Sequence, residues 1–335
     1  MRAIKRVIID CDPGIDDSLA LIYLAALHHE GAIELEAVTT SAGNVGAEQC
    51  AINAAWVLAQ CGLRTVSLAA GLPGPLVYSL TTTPETHGPT GVGYATAPDR
   101  HVEHDWDALW CDAIERSTED LHLIVTGPLT NLAAFAQLHP GHFARLRHIT
   151  VMGGAFFYPG NTTPSAEWNF WVDPHAAAEV FSRTPVPVTV CSLGLTEQMV
   201  IDPAALRRCV DTLGPAPIAA ELGEMMRFYF EFHDEMGEGY LAQVHDLLTA
   251  QVALGALRVD AHAATVDVEA DSELMRGTSV EDTRGFFERE ANAVVVTGAD
   301  IEQAHREFLR ACEVHAKFFG GSRDLERARD ARAED

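Results

Sequence analysis

Val7-Ile8-Ile9-Asp10-Cys11-Asp12-Pro13-Gly14-Ile15-Asp16-Asp17 places four carboxylates inside eight residues, directly behind an apolar run. Val7–Asp10 has the make-up of a buried strand, and apolar residues recur at helical spacing over Asp16–His28, so the acidic segment is a strand-to-helix turn. Crowded carboxylates repel one another. Such a cluster is stable only if a cation neutralises it or some of its members hold protons at neutral pH. Asp16 and Asp17 would also favour the amino-terminal dipole of the helix, but that leaves Asp10 and Asp12 unexplained.

The same alternation continues along the chain. Leu35–Thr40, Thr65–Ala69, Leu121–Thr126, His148–Met152 and Val186–Cys191 are strand-like, and helical spacing covers Ala47–Gln60, Trp106–Arg116, Asn131–Leu138, Pro174–Ser182 and Ile218–His233. Strands alternating with helices predict an α/β fold, an open, mostly parallel central sheet flanked by helices. Gly71–Asp105, rich in Gly, Pro and Thr, reads as a long loop, a length that is uncommon unless it covers a site. After Ala264 the pattern changes to short strands, Thr265–Val268 and Ala293–Val296, and a last helix covers Ile301–Phe318. Residues 1–319 then form a single domain. The charged stretch 320–335 is a tail, a solvated helix or disordered, with no function assigned to it.

Composition narrows the chemistry. The 335 residues carry a formal charge of -25, which would repel nucleic acid and anionic membranes alike. A divalent cation and a neutral substrate fit better. No apolar stretch approaches the ~18 residues of a membrane span. The basic start Met1–Arg6 runs into Asp10 after a few apolar residues, which is not the pattern of a signal peptide. The seven cysteines include no C-x-x-C pair and read as reduced thiols of a cytoplasmic protein.

The polar motifs follow the strands. Asp12–Asp17 come after the first, Asn44 after the second, Thr126-Gly127 after the fourth, and Gly153-Gly154 lead from the fifth toward Asn161, Glu167 and Asn169. In a parallel sheet the carboxyl ends lie along one edge, so these segments are expected to converge on one cleft there. Asp12 and Asp17 could grip one hard cation such as calcium if Pro13-Gly14 turns the chain back. The amides, acid and aromatics of Asn161–Phe170 suit a sugar. His245-Asp246 opens an apolar helical run, where an Asp commonly caps. A magnesium phosphatase of the haloacid dehalogenase type is an alternative, since it too has D-x-D after an apolar strand and would make Asp10 the nucleophile. Here, however, Gly14 stands where Thr or Val is usual, and two further acids follow.

Taken together, these segments resemble the nucleoside hydrolases of the inosine-uridine preferring type. The resemblance rests on Asp10–Asp17, Thr39–Asn44, Val125–Asn131, Val151–Ala155, Asn161–Asn169 and His245-Asp246, with Arg276-Gly277-Thr278 as a late turn, and runs from about Val7 to Cys312. It departs at Leu247, where the family often has Pro, and at Trp168, where Phe is common.

The resemblance implies calcium-dependent hydrolysis of the N-glycosidic bond of a ribonucleoside, releasing base and ribose. Asp12, Asp17, Asp246 and the Thr126 carbonyl would hold Ca2+, and Asp16 would be the general base for a water. Asn44, Asn161, Glu167 and Asn169 would bind ribose hydroxyls, Met152 would line the sugar pocket, and His245 would lie beside the base as leaving-group acid or contact. Asp10 would orient the loop from behind the ligands. The aromatic stretch Phe228–His233, continuing to Tyr240, is expected either to close over the base or to form the core of a helix. Relatives form homo-oligomers, dimers or tetramers. A metal-stabilised protein that binds nucleosides without turnover is a further alternative, one that needs neither Asp16 nor His245.

Overall fold

The computed structural model describes residues 4–116 and 120–333. Its strands, in chain order, are β1 Lys5–Cys11, β2 Ile33–Thr40, β3 Ser67–Ala70, β4 Leu121–Val125, β5 His148–Met152, β6 Val188–Cys191, β7 Val200–Ile201, β8 Ala242–Gln243, β9 Val259–Ala264, β10 Val266–Val268, β11 Ser279–Glu281 and β12 Ala293–Ala299. Eight of them make one sheet in the order β3-β2-β1-β4-β5-β6-β12-β9. Every neighbouring pair is parallel except β12 with β9, which closes one edge antiparallel.

β1 shows why the sheet has helices on both faces. Successive side chains point to opposite faces of a strand, and here Val7 and Ile9 enter one apolar cluster while Ile8 enters another with Trp110 and Phe135. A strand buried on both faces reads as a continuous apolar run, and parallel sheets require that cover. Helix Ile15–His29 is buried all round from Ile15 to Leu27. It is therefore an inner helix, against which His245–Ala253 and the helix from Ile301 pack.

The six strands expected before residue 192 are present, with ends shifted by one or two residues, as are the helices expected up to Glu235. Four features differ from expectation. Helix Pro203–Leu213 was not foreseen, although Asp202 accepts from the Ala205 amide (2.7 Å) and Pro203 opens the helix, an ordinary start signal. The strand expected at Ala293–Val296 is longer, β12 running on to Ala299, and it enters the main sheet beside β6. β9 pairs with it at the edge, five of its six residues exposed, and lacks the alternation that would mark it.

The last helix also runs past Phe318, from Ile301 to Ala333. Gly320-Gly321 do not stop it. Glycine costs a helix roughly 1 kcal/mol per residue against alanine but is not barred from it.

The 71–105 segment does cover a site. It carries the short helix Pro84–His87, joins the sheet edge through one bridge from Glu103 to Ala69, and buries Val92, Ala95 and Val102. No helix among the described residues is long and apolar enough to cross a membrane.

Candidate active site

Strand order reverses at β1. The chain lays β2 and β3 on one side of it and β4, β5 and β6 on the other, which opens a crevice at the carboxyl ends of β1 and β4. A cavity of about 650 Å³ lies there, and among the residues lining it are Asp12, Asp16, Asn44, Thr126, Met152, Asn161, Glu167, Asn169, His245 and Asp246. Segments spread over more than two hundred residues thus meet as expected. Asp17 lies just behind this wall and Asp10 beneath it, both fully buried.

Asp10 Oδ1 accepts from Thr39 Oγ1 (2.6 Å) and Asn131 Nδ2 (2.9 Å), while Oδ2 has no hydrogen-bond partner among the described residues. Burial pushes its carboxyl up to about 6. Trp110 Nε1 in turn donates to Thr39 Oγ1 (3.1 Å). Asp10 therefore braces the end of β1 against β2 and the helix after β4. It does not face the cavity, as the nucleophile of a phosphatase would have to.

The other acids crowd together. Asp12 Oδ2 accepts from the Asn44 amide (2.7 Å), and the Asn44 side chain returns a bond to the Asp12 carbonyl (3.1 Å). Asp17 Oδ1 accepts from Thr126 Oγ1 (2.7 Å) and Oδ2 from the Gly14 amide (3.1 Å), so Asp17 also reaches back to the N-cap of its own helix. Asp16, Asp17 and Asp246 offer carboxylate oxygens within 4.8 Å of one another. Burial, followed by the Asp17 charge, raises Asp16 to about 7. Burial also holds Asp12 and Asp246 well above the usual carboxylate range and raises Asp17.

Among the described residues, no lysine or arginine lines the cavity. Four buried carboxylates offering only oxygen, with no side-chain cation beside them, are a donor set for a hard divalent ion. The backbone makes room for it. A Cβ at Gly43 would fall 2.2 Å from Asp12 Oδ2, and one at Gly127 2.7 Å from Asp12 Oδ1.

Next to the acids lies a polar shelf built on the helix Trp168–Val172. Glu167 caps it, with Oε1 accepting from the Asn169 amide (2.7 Å) and Oε2 from the amides of Gly154 (2.9 Å) and Phe170 (3.1 Å). Burial nonetheless pushes Glu167 up to about 7. Asn169 Nδ2 donates to the carbonyls of Thr126 (2.7 Å) and Met152 (3.2 Å), which leaves its oxygen for a ligand. Asn161 is exposed at the rim, and its Oδ1 accepts from the Trp168 amide (3.0 Å).

The far wall is aromatic. His245 Nδ1 pairs with Thr196 Oγ1 (2.9 Å), and burial drives its pKa down to about 3. His87 from the 71–105 segment and His233 from the helix Ile218–Glu235 stand beside it; burial likewise pulls His87 down to about 3 and lowers His233. Tyr229, whose ring is 5.2 Å from that of His87, and Phe232 complete the wall. Of the expected aromatic stretch, Tyr229, Phe232 and His233 do face the cavity. Phe228 and Phe230 turn away, against Tyr94 and Tyr240 respectively.

His87 is the residue sequence reasoning missed. It sits in a loop whose local sequence carries no periodicity, and its Nδ1 accepts from the Ile15 amide (3.1 Å) at the open end of the inner helix. Tyr158 and Glu197, joined by a 2.6 Å hydrogen bond at the rim, were missed as well.

Residues 7–306 match the family model described as inosine-uridine preferring nucleoside hydrolase. The pyrimidine-specific ribonucleoside hydrolase RihA of Shewanella baltica is 35% identical over 88% of this chain and 92% of its own length. The inosine-uridine preferring nucleoside hydrolase of Leishmania major is 33% identical over 84% and 88%. Among solved structures, the purine-preferring ribonucleoside hydrolase from Gardnerella vaginalis superposes with a TM-score of 0.83 at 26% identity, over 94% of this chain and all of that one.

Proposed function

Because this chain belongs to the inosine-uridine preferring nucleoside hydrolase family, we propose that it hydrolyses the N-glycosidic bond of ribonucleosides with calcium as its metal and Asp16 as its general base. The observation that carries this reading is the division of one cavity between buried carboxylates at one end and histidine and aromatic side chains at the other. A ribose suits the first end and a nucleobase the second.

Asp12, Asp17, Asp246 and the Thr126 carbonyl would hold the cation. When bound, a divalent ion there neutralises the carboxylates and acidifies a water molecule. Asp16, which lines the cavity together with Asp12 and Asp246, takes that water's proton as the general base. Such a group contributes roughly 10²–10⁴-fold. Asn44, Asn161, Glu167 and Asn169 bind the ribose hydroxyls, and Met152 forms the floor under the sugar. As the glycosidic bond breaks, positive charge builds on the ribose ring, and surrounding carboxylates favour it.

At the other end the base leaves as a poor anion. His245 is held by Thr196 so that its Nε2 edge serves the base, with His87, His233 and Tyr229 packed around it. His245 acts by hydrogen bonding to the departing base, since burial keeps the imidazole neutral. The same reading takes residues 1–319 as one domain of a cytoplasmic homo-oligomer, dimer or tetramer. Leu274, Phe286 and Phe157 are largely exposed and available for such contacts.

The test is product analysis on inosine, adenosine, uridine and cytidine. Equimolar free base and ribose, lost on chelation and restored by calcium, supports the reading. Tight nucleoside binding without any product, or release of phosphate from a phosphorylated substrate instead, contradicts it.

A further inference from the structure

Away from the cavity, a second group of ligating side chains lies between two surface helices. Cys111, His139 and His142 offer a thiol and two imidazole nitrogens within 4.8 Å of one another. We propose that these three residues bind one zinc ion, or a divalent cation of similar softness.

The chemistry of the group differs from that of the acidic cluster. A thiolate and two imidazoles select borderline and soft metals such as zinc, not calcium or magnesium. Three protein ligands leave a fourth position for water or a nearby carboxylate.

The supports are already built. Asp107, Cys111 and Glu115 are spaced by four on the helix Trp106–Arg116 and so share one face. His139 Nε2 pairs with Asp107 Oδ2 (2.9 Å), and His142 Nε2 with Glu115 Oε1 (3.2 Å). Metal-ligating histidines commonly give their second nitrogen to a carboxylate in this way, which fixes the tautomer and makes the other nitrogen a better ligand. Each ring then has one nitrogen for a carboxylate and one for the metal. His139-Pro140-Gly141-His142 forms a single turn, closed by the His142 amide on the His139 carbonyl (3.0 Å), so the two imidazoles are presented together.

Tetrahedral zinc bonded to sulfur at ~2.3 Å and nitrogen at ~2.0 Å sets its ligand atoms roughly 3.5 Å apart. From atoms that lie within 4.8 Å of one another, the group must therefore close by at most about 1.3 Å. The histidine side chains are 30% and 27% exposed and free to adjust. Cys111 is the only half-buried cysteine, the others being buried. Binding releases its thiol proton to solvent.

The experiment is a cobalt titration of the full chain in excess calcium, followed by zinc competition. The expected result is one equivalent of tetrahedral cobalt with a thiolate charge-transfer band in the near ultraviolet, displaced by zinc. Cys111→Ser should abolish the band, and His142→Gln should weaken binding at least tenfold. Retained nucleoside hydrolysis in both variants reports that they fold. A wild-type protein that shows no such band, or a band that survives in Cys111→Ser, overturns the proposal and leaves the histidines as ordinary surface ion-pair partners.

Discussion

Thr126 Oγ1 donates to Asp17 Oδ1 across 2.7 Å, and this bond joins the end of β4 to the first turn of the helix that follows β1. It closes the one place where strand order reverses. The hydroxyl and the carbonyl of Thr126 then serve different tasks, the first holding Asp17 and the second facing Asn169 and the cavity.

Calcium is expected to stabilise the fold as well as support turnover. An ion that binds only the folded state adds about 2.7 kcal/mol at a hundred times its Kd. Thermal unfolding with chelator and with excess calcium measures this. An unchanged Tm together with undiminished activity in chelator would remove the metal role.

Gly43 tests the cradle around Asp12. Gly43→Ala places a Cβ against Asp12 Oδ2 and should lower calcium affinity at least tenfold, with an overpacking cost on the order of 1–3 kcal/mol. Gly46→Ala, whose added Cβ meets nothing within 4 Å, is the control. Equal calcium affinity in the two variants, read by calorimetry, would show that Asp12 is not a ligand.

His87→Ala deletes the acceptor of the buried Ile15 amide and one ring of the base-side wall. The unpaired amide should cost about 1–3 kcal/mol in stability. kcat/KM for nucleosides should fall by about an order of magnitude, equivalent to about 1.4 kcal/mol. Steady-state kinetics at saturating calcium decide the matter, and a wild-type kcat/KM would take His87 out of the site.

Much of this was legible in the primary structure because two signals coincide there. Apolar runs alternating with helical spacing fixed the parallel sheet, and the acids, amides and Thr126 all follow strand ends, so topology alone gathers them. Asp10 was recognisable as an acid apart from the rest, but its bracing role needed the partners Thr39 and Asn131. His87 was out of reach because tertiary packing alone sets its position. The edge strand β9 escaped because its exposed side chains lack a buried face, and the Gly320-Gly321 pair suggested an end that the helix ignores.

His315 makes stability depend on pH. It is fully buried in the last long helix, with Nε2 on the Ile22 carbonyl (2.8 Å), and burial pulls its pKa from 6.5 down to about 4. Between those values the unfolded chain binds a proton that the folded chain does not, so stability falls as pH drops from 6.5 toward 4 and is complete above 6.5. The slope reaches about 1.4 kcal/mol per pH unit. Urea midpoints at pH 5 and 7 should differ less in His315→Gln than in the wild type. An identical difference would mean that His315 titrates normally in the folded state.

The central claim assigns the proton of the attacking water to Asp16, which shares its cluster with Asp17 and Asp246. Asp16→Asn, assayed at saturating calcium for base release and in parallel for calcium and nucleoside binding, tests it most directly. The expected result is turnover lowered by roughly 10²–10⁴-fold with both affinities within a few-fold of wild type. Turnover within tenfold of wild type, or loss of calcium binding as large as the loss of rate, would contradict the assignment and make Asp16 a metal ligand or a bystander.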